Sequence, residues 1–121
     1  MIDDEESLLP CVREVGAIAG YEVETTTNAT YFLKCVREWQ PTLIFLDLQM
    51  PDVDGVELMY TLVAYKFTAP IVLMSGCESK VLRTISELGC GLGLNMGGVL
   101  AKPIRLETFR RSLDEHSLLA K

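Results

Sequence analysis

Asp47 closes the apolar run Leu43-Ile44-Phe45-Leu46 and opens the turn Leu48-Gln49-Met50-Pro51-Asp52-Val53-Asp54-Gly55. A short continuous apolar run bounded by a turn reads as a strand buried on both faces. The carboxylate therefore falls at the carboxyl end of a buried strand, the edge where open α/β sheets bind ligands. Three more groups fall on the same edge: the acidic pair Asp3-Asp4, Ser75 after Ile71-Val72-Leu73-Met74, and Lys102-Pro103 after Val99-Leu100-Ala101. Carboxylates gathered this closely repel one another, and a hard divalent cation such as Mg²⁺ relieves the repulsion while bridging to a phosphoryl oxygen. Asp47 is then placed to act as a nucleophile and form an aspartyl phosphate. Lys102 would pair with one phosphoryl oxygen and the Ser75 hydroxyl would hydrogen-bond another. Such a transfer is catalysed mainly by positioned charge.

The elements needed to hold these groups can be read along the chain. Ser7 to about Gly20 has a helical pattern, with Leu8, Leu9, Val12, Val15, Ile18 and Ala19 on one face and Gly20 as terminator. Tyr21 to Thr25 alternates as a short strand. Asn28 caps a second helix that ends near Trp39, before Pro41. After the strand that carries Asp47, Val56 to Lys66 is a third helix and Ile71 to Met74 a buried strand. Ser79 caps a fourth helix from about Lys80 to Leu88, Val99 to Ala101 is a last strand, and Arg105 to about Leu118 is a closing helix with Leu106, Phe109 and Leu113 turned inward. Alternating strands and helices of these lengths imply parallel strands with right-handed crossovers. The glycines at 89, 91, 93, 97 and 98 follow a helix and precede a strand, the wrong order for a phosphate-cradling loop. They read as a helix terminator and a flexible approach to the last strand.

Composition narrows the classes. At 121 residues with 49% hydrophobic content, the chain is one globular domain, residues 1–121. A net charge of −6 argues against a nucleic-acid-binding surface. No apolar run approaches a membrane span, and the acidic N-terminus is unlike a signal peptide. Cys11, Cys35, Cys77 and Cys90 are spaced neither for zinc nor for a disulfide framework, and read as reduced, mostly buried thiols of a cytoplasmic protein.

Taken in order, Asp3-Asp4-Glu5, Leu46-Asp47-Leu48-Gln49-Met50-Pro51-Asp52 with Gly55, Met74-Ser75-Gly76 and Lys102-Pro103 resemble the receiver domain of two-component response regulators. The resemblance covers nearly the whole chain. It implies a flavodoxin-like, doubly wound parallel sheet of five strands in the order 2-1-3-4-5, with helices on both faces. It further implies that Asp47 is the phosphoacceptor and a metal ligand, that Asp4 binds Mg²⁺ directly and Asp3 largely through water, and that the Gln49 backbone carbonyl is another ligand. Lys102 and Ser75 would grip the phosphoryl group, Gly76 would leave room for it, and Lys102-Pro103 would be a cis peptide. A sensor histidine kinase or phosphotransfer protein is the implied donor. An effector domain or target protein is the implied recipient of the signal, and a homodimer is one implied assembly.

The sequence departs from that pattern in three places. Only Met1 and Ile2 precede the acidic pair, so the first strand is truncated. Strand pairing there would come from residues upstream or from a rearranged or exchanged strand. Val99 stands where the family often has a tyrosine or phenylalanine, and the stretch from Ser75 to Lys102 is somewhat long. The leading expectation is a switch that phosphorylates its own Asp47 and is not a turnover enzyme. The alternative is a receiver-like interaction module that works without phosphorylation. A Mg²⁺-dependent phosphatase is disfavoured, because Gln49 stands where that chemistry needs a general acid.

Overall fold

The computed structural model of the chain describes residues 1–2, 9–50, 53–76, 79–102 and 104–119. The elements follow one another as α1 (Leu9–Ile18), α2 (Ala29–Trp39), β1 (Ile44–Asp47), β2 (Gln49–Met50), β3 (Val53–Asp54), α3 (Gly55–Ala64), β4 (Ile71–Ser75), α4 (Ser79–Gly91), β5 (Met96–Ala101) and α5 (Leu106–Leu119). Local chemistry accounts for several boundaries. Pro10 sits in the first turn of α1, where its missing N–H costs nothing. The Asn28 side chain accepts from the Tyr31 N–H at 2.9 Å and so caps α2, as the sequence suggests. Gln40 in the left-handed region (φ 51°) ends that helix one residue before Pro41.

β1, β4 and β5 form a parallel sheet in that order. On the free side of β1, Ile2 makes parallel bridges to both Leu46 and Thr26. Counting Ile2 as the first strand and Thr26 as the second gives the expected order 2-1-3-4-5, with the first two strands reduced to single bridges. The expected strand from Tyr21 to Thr25 is thus not formed. Among the described residues, this segment pairs only where Thr26 meets Ile2. Met1 and Ile2 nevertheless bond in both directions. The Ile2 N–H donates to the Phe45 carbonyl (3.0 Å) and its carbonyl accepts from the Asp47 N–H (3.1 Å). The Met1 carbonyl accepts from the Thr26 N–H (3.0 Å), and the Met1 ammonium donates to the Glu24 carbonyl (2.8 Å).

Alternation along the strands divides the core into two layers. Ile44, Leu46, Ile71 and Leu73 pack with Ile2, Phe32, Val36, Leu58, Met59, Leu62 and Leu82, beneath α2, α3 and α4. Phe45, Val72 and Met74 pack with Val12, Phe109 and Leu113, beneath α1 and α5. The Phe45 and Phe109 rings lie 4.6 Å apart, centre to centre, in a tilted arrangement. Helices on both faces of a parallel sheet complete the doubly wound, flavodoxin-like architecture.

Some details of the sequence reading change. Ile18 is 74% exposed, because Val12, Val15 and Ala19 already form the stripe that packs inward and Ile18 lies about 100° around the helix from Ala19. Leu106 is exposed for a different reason: it shares the face of Phe109 and Leu113 but is the first residue of α5, a turn before the packed stretch begins. The fourth helix does not stop near Leu88 but runs to Gly91, and β5 begins at Met96 instead of Val99. Gly93, in the left-handed region (φ 92°) two residues beyond this helix, turns the chain. Gly97 is an extra residue: Ile71 pairs with Met96 but Val72 pairs with Gly98, so β5 carries a bulge. Cys11 and Cys90 are exposed and Cys35 is half-buried, so the described thiols are free but not core residues; Cys77 lies outside the described residues. No helix among the described residues is long and apolar enough to cross a membrane.

Candidate functional site

β1 ends in Asp47 and β4 in Ser75, and both residues are completely buried. Lys102 follows β5 directly, its N–H bonded to the Ser75 carbonyl at 2.9 Å. Parallel pairing, with Asp47 opposite Met74 and Ser75 opposite Ala101, sets the three strand ends side by side at one edge. The Lys102 Nζ reaches across β4 to donate to Asp47 Oδ2 at 2.6 Å, with only 14% of the lysine side chain exposed. A charge-assisted contact this short and this well shielded from water is costly to break from one side, because the remaining charge would be left buried without a partner. It also fixes the direction of both side chains.

The backbone under Asp47 is held from two sides. Its own N–H donates to Ile2, and the next N–H, of Leu48, donates to Met74 at 3.0 Å. A short antiparallel pair follows, Gln49 opposite Asp54 and Met50 opposite Val53, which the sequence reading treated only as a turn. It brings Gly55 back against the chain it has just left. A Cβ on Gly55 would lie 2.9 Å from the Leu48 Cα and 3.3 Å from the Asp47 carbonyl oxygen. Gly55 is therefore needed for the close approach of α3 to the turn that carries Asp47. Sequence reasoning quoted Gly55 as part of a pattern but gave it no role. The available signal was its place just after Asp54, where a chain leaving a tight turn enters a helix.

Of the site residues expected from sequence, the structure brings together Asp47, Ser75 and Lys102, with Gly76 exposed at the same strand end. The Gln49 main chain lies in the two-residue strand immediately after Asp47. Asp3, Asp4 and Pro103 lie outside the described residues, and with them the acidic pair and the expected cis peptide. The described residues include no cluster of three metal-ligating side chains. What they do offer is oxygen chemistry, a buried carboxylate followed two residues later by a main-chain carbonyl, which suits a hard cation such as Mg²⁺ better than a thiophilic one.

A family model described as the response regulator receiver domain matches residues 1–114. The chain is 30% identical over 124 residues to the probable C4-dicarboxylate response regulator DctR of Bacillus subtilis, a match covering 96% of this chain and 50% of that protein. It is 28% identical over 103 residues to the alkaline phosphatase synthesis transcriptional regulatory protein PhoP of the same organism, covering 85% of this chain and 41% of that one. The chain thus spans half or less of the length of these curated relatives. Among solved structures, a response regulator from Colwellia psychrerythraea aligns with a TM-score of 0.78 at 28% identity, covering 98% of this chain and 94% of that one. The receiver domain of Francisella response regulator 1452 aligns with a TM-score of 0.80 at 18% identity over 99% of this chain and 95% of that one, a likeness of fold.

Proposed function

The chain belongs to the response regulator receiver domain family, and on that basis we propose that it is a phosphorylation switch whose acceptor is Asp47. The observation that carries this reading is the 2.6 Å contact between Lys102 Nζ and the buried Asp47 carboxylate. A lysine held against the one fully buried carboxylate among the described residues is placed to meet the charge of an incoming phosphoryl group.

In the proposed step an Asp47 carboxylate oxygen attacks the phosphorus of a phosphohistidine on a sensor histidine kinase or phosphotransfer protein. The P–O bond to Asp47 forms as the P–N bond breaks, and the electron pair stays on the imidazole nitrogen. Lys102 exchanges its contact with Asp47 for one with a phosphoryl oxygen. The Ser75 hydroxyl donates to a second oxygen, and Gly76, with no side chain, leaves space beside it. Asp3, Asp4, Asp47 and the Gln49 carbonyl would hold Mg²⁺, which supplies charge neutralisation on the phosphoryl oxygens when bound. The domain acts on itself and is a signalling element, working in the cytoplasm with an effector domain or separate target as its output. Incubation with Mg²⁺ and acetyl phosphate should add one phosphoryl group, seen by intact mass. An Asp47→Asn protein that gains the same group would overturn the assignment.

A further inference from the structure

The loops that lead into β1 and β4 lie at the end of the sheet opposite to Asp47 and Ser75. There an open pocket of about 520 Å³ sits between the ends of α2 and α3. Val36, Pro41 and Phe67, buried or half-buried, give it an apolar floor, and Arg37, Tyr65 and Lys66 form an exposed rim. Sites for small organic molecules run from roughly 300 to 1,000 Å³, so the space suits a compact ligand and is far larger than a single ion needs.

Both helices end at this pocket on strained backbone. Gln40 after α2 (φ 51°) and Lys66 after α3 (φ 58°) are the only non-glycine residues with positive φ among the described residues, and both line the pocket. The Lys66 N–H donates to the Val63 carbonyl (3.0 Å) and the Phe67 N–H to the Leu62 carbonyl (3.1 Å). In this helix-ending motif glycine is the relaxed choice, so a side chain at position 66 is held at a cost to stability. What Lys66 supplies for that cost is a charge at the mouth of the pocket.

A second charge is fixed beside it. The Arg37 guanidinium carbon lies 6.0 Å from the centre of the Tyr65 ring, which ties the end of α2 to the end of α3. Among the described residues neither Arg37 nor Lys66 is paired with a carboxylate, and none of those lining the pocket is acidic. In a chain of 17 acidic and 11 basic residues, this is the reverse of the average surface. The two helix ends attract cations, but each carries only about half a negative charge, so roughly one unit of positive charge is left over.

We propose that this pocket binds a small organic phosphate monoester. A phosphate close to dianionic matches the two cations, Arg37 as a fork of N–H donors and Lys66 as a point charge. A carboxylate would bring half of that charge. The organic body would rest on Val36, Pro41 and Phe67. The site does not rest on phosphorylation of Asp47.

The probe is phenyl phosphate, titrated without Mg²⁺ into the whole domain and followed by backbone amide shifts. Saturable shifts confined to residues 36–41 and 65–69 are expected, and the same shifts in Asp47→Asn protein. Binding about tenfold weaker is expected for inorganic phosphate, which lacks the body, and for phenol, which lacks the charge. Lys66→Gly relieves the left-handed backbone, so it should melt no lower than the parent yet bind at least about fivefold more weakly. Arg37→Gln should weaken binding to a similar degree. The proposal is overturned by an absence of saturable shifts at millimolar phenyl phosphate, by shifts centred on Gly76 and Lys102, by equal binding of inorganic phosphate or phenol, or by undiminished binding to the Lys66→Gly protein.

Discussion

At the carboxyl edge, β1, β4 and β5 arrive as paired strands of four, five and six residues, and their ends converge on a buried ion pair. On the far side of β1, Met1 and Ile2 hold their place between Thr26 and β1 by single bridges, with a cavity below them. The contrast separates two duties of one strand. Positioning Asp47 takes only a carbonyl on Ile2 to receive its N–H, so the site needs the last residue of the first strand. Among the described residues, pairing on that side is limited to the bridges of Ile2 to Thr26 and Leu46.

Substitutions should show this asymmetry. The largest effect belongs to Asp47→Asn, which should abolish phosphoryl uptake from acetyl phosphate in an intact-mass assay while the protein remains folded. Next, Leu73→Ala in the middle strand should cost about 3–4 kcal/mol in urea denaturation, as for a fully buried leucine that cannot be compensated. Ile2→Ala is equally buried, but its neighbours are free to collapse into the space, so about 2 kcal/mol is expected. Equal losses at the two positions would mean that the N-terminal edge is as tightly built as the centre.

The third test uses pH. In a protein beginning at Met1, the unfolded amine holds its proton to about pH 8.0 and the folded one only to about 6. The unfolded state therefore binds more protons between those values, and stability should rise with pH across that window, by about 3 kcal/mol at most. The penalty is complete below pH 6 and gone above pH 8. A flat profile from pH 6 to 8, once compared with the N-acetylated protein, would show that the ammonium is well solvated. The smallest effect concerns Asn28, beside the weak edge. Removing its cap with Asn28→Ala should cost about 1 kcal/mol by denaturant titration. A larger loss would tie α2 to the pairing of Thr26 and Met1.

The same asymmetry governed what could be read from the residues. Asp47, Ser75 and Lys102 were legible because each ends an apolar run too short for a helix and too continuous for a half-exposed strand. Strand order followed from alternation of elements. Tyr21 to Thr25 has strand chemistry but forms no ladder, since pairing depends on a partner that local composition does not report. The extent of α4 was hidden by Gly89 and Gly91. A glycine usually marks a helix end, but Gly89 lies inside the helix, where an added Cβ would come within 2.9 Å of the Met59 Cε. It is small because α4 crosses there at close range, a tertiary fact without a local signature. Val99 stands 44% exposed opposite Leu73, which the sequence could place on the strand but not in or out of solvent.

The bulge at Gly97 has a meaning of its own for β5. Met96 packs against the layer under α2, α3 and α4, whereas Leu100 packs against the layer under α1 and α5. Four residues apart on a regular strand they would share a face. The extra residue works like a frameshift in a two-letter code: everything after it is read on the opposite side. Deleting Gly97 would leave Lys102 in register with Ser75 but turn Met96 away from Met59 and Gly89. One inserted residue thus lets a single strand spell its first half for one layer and its second half for the other.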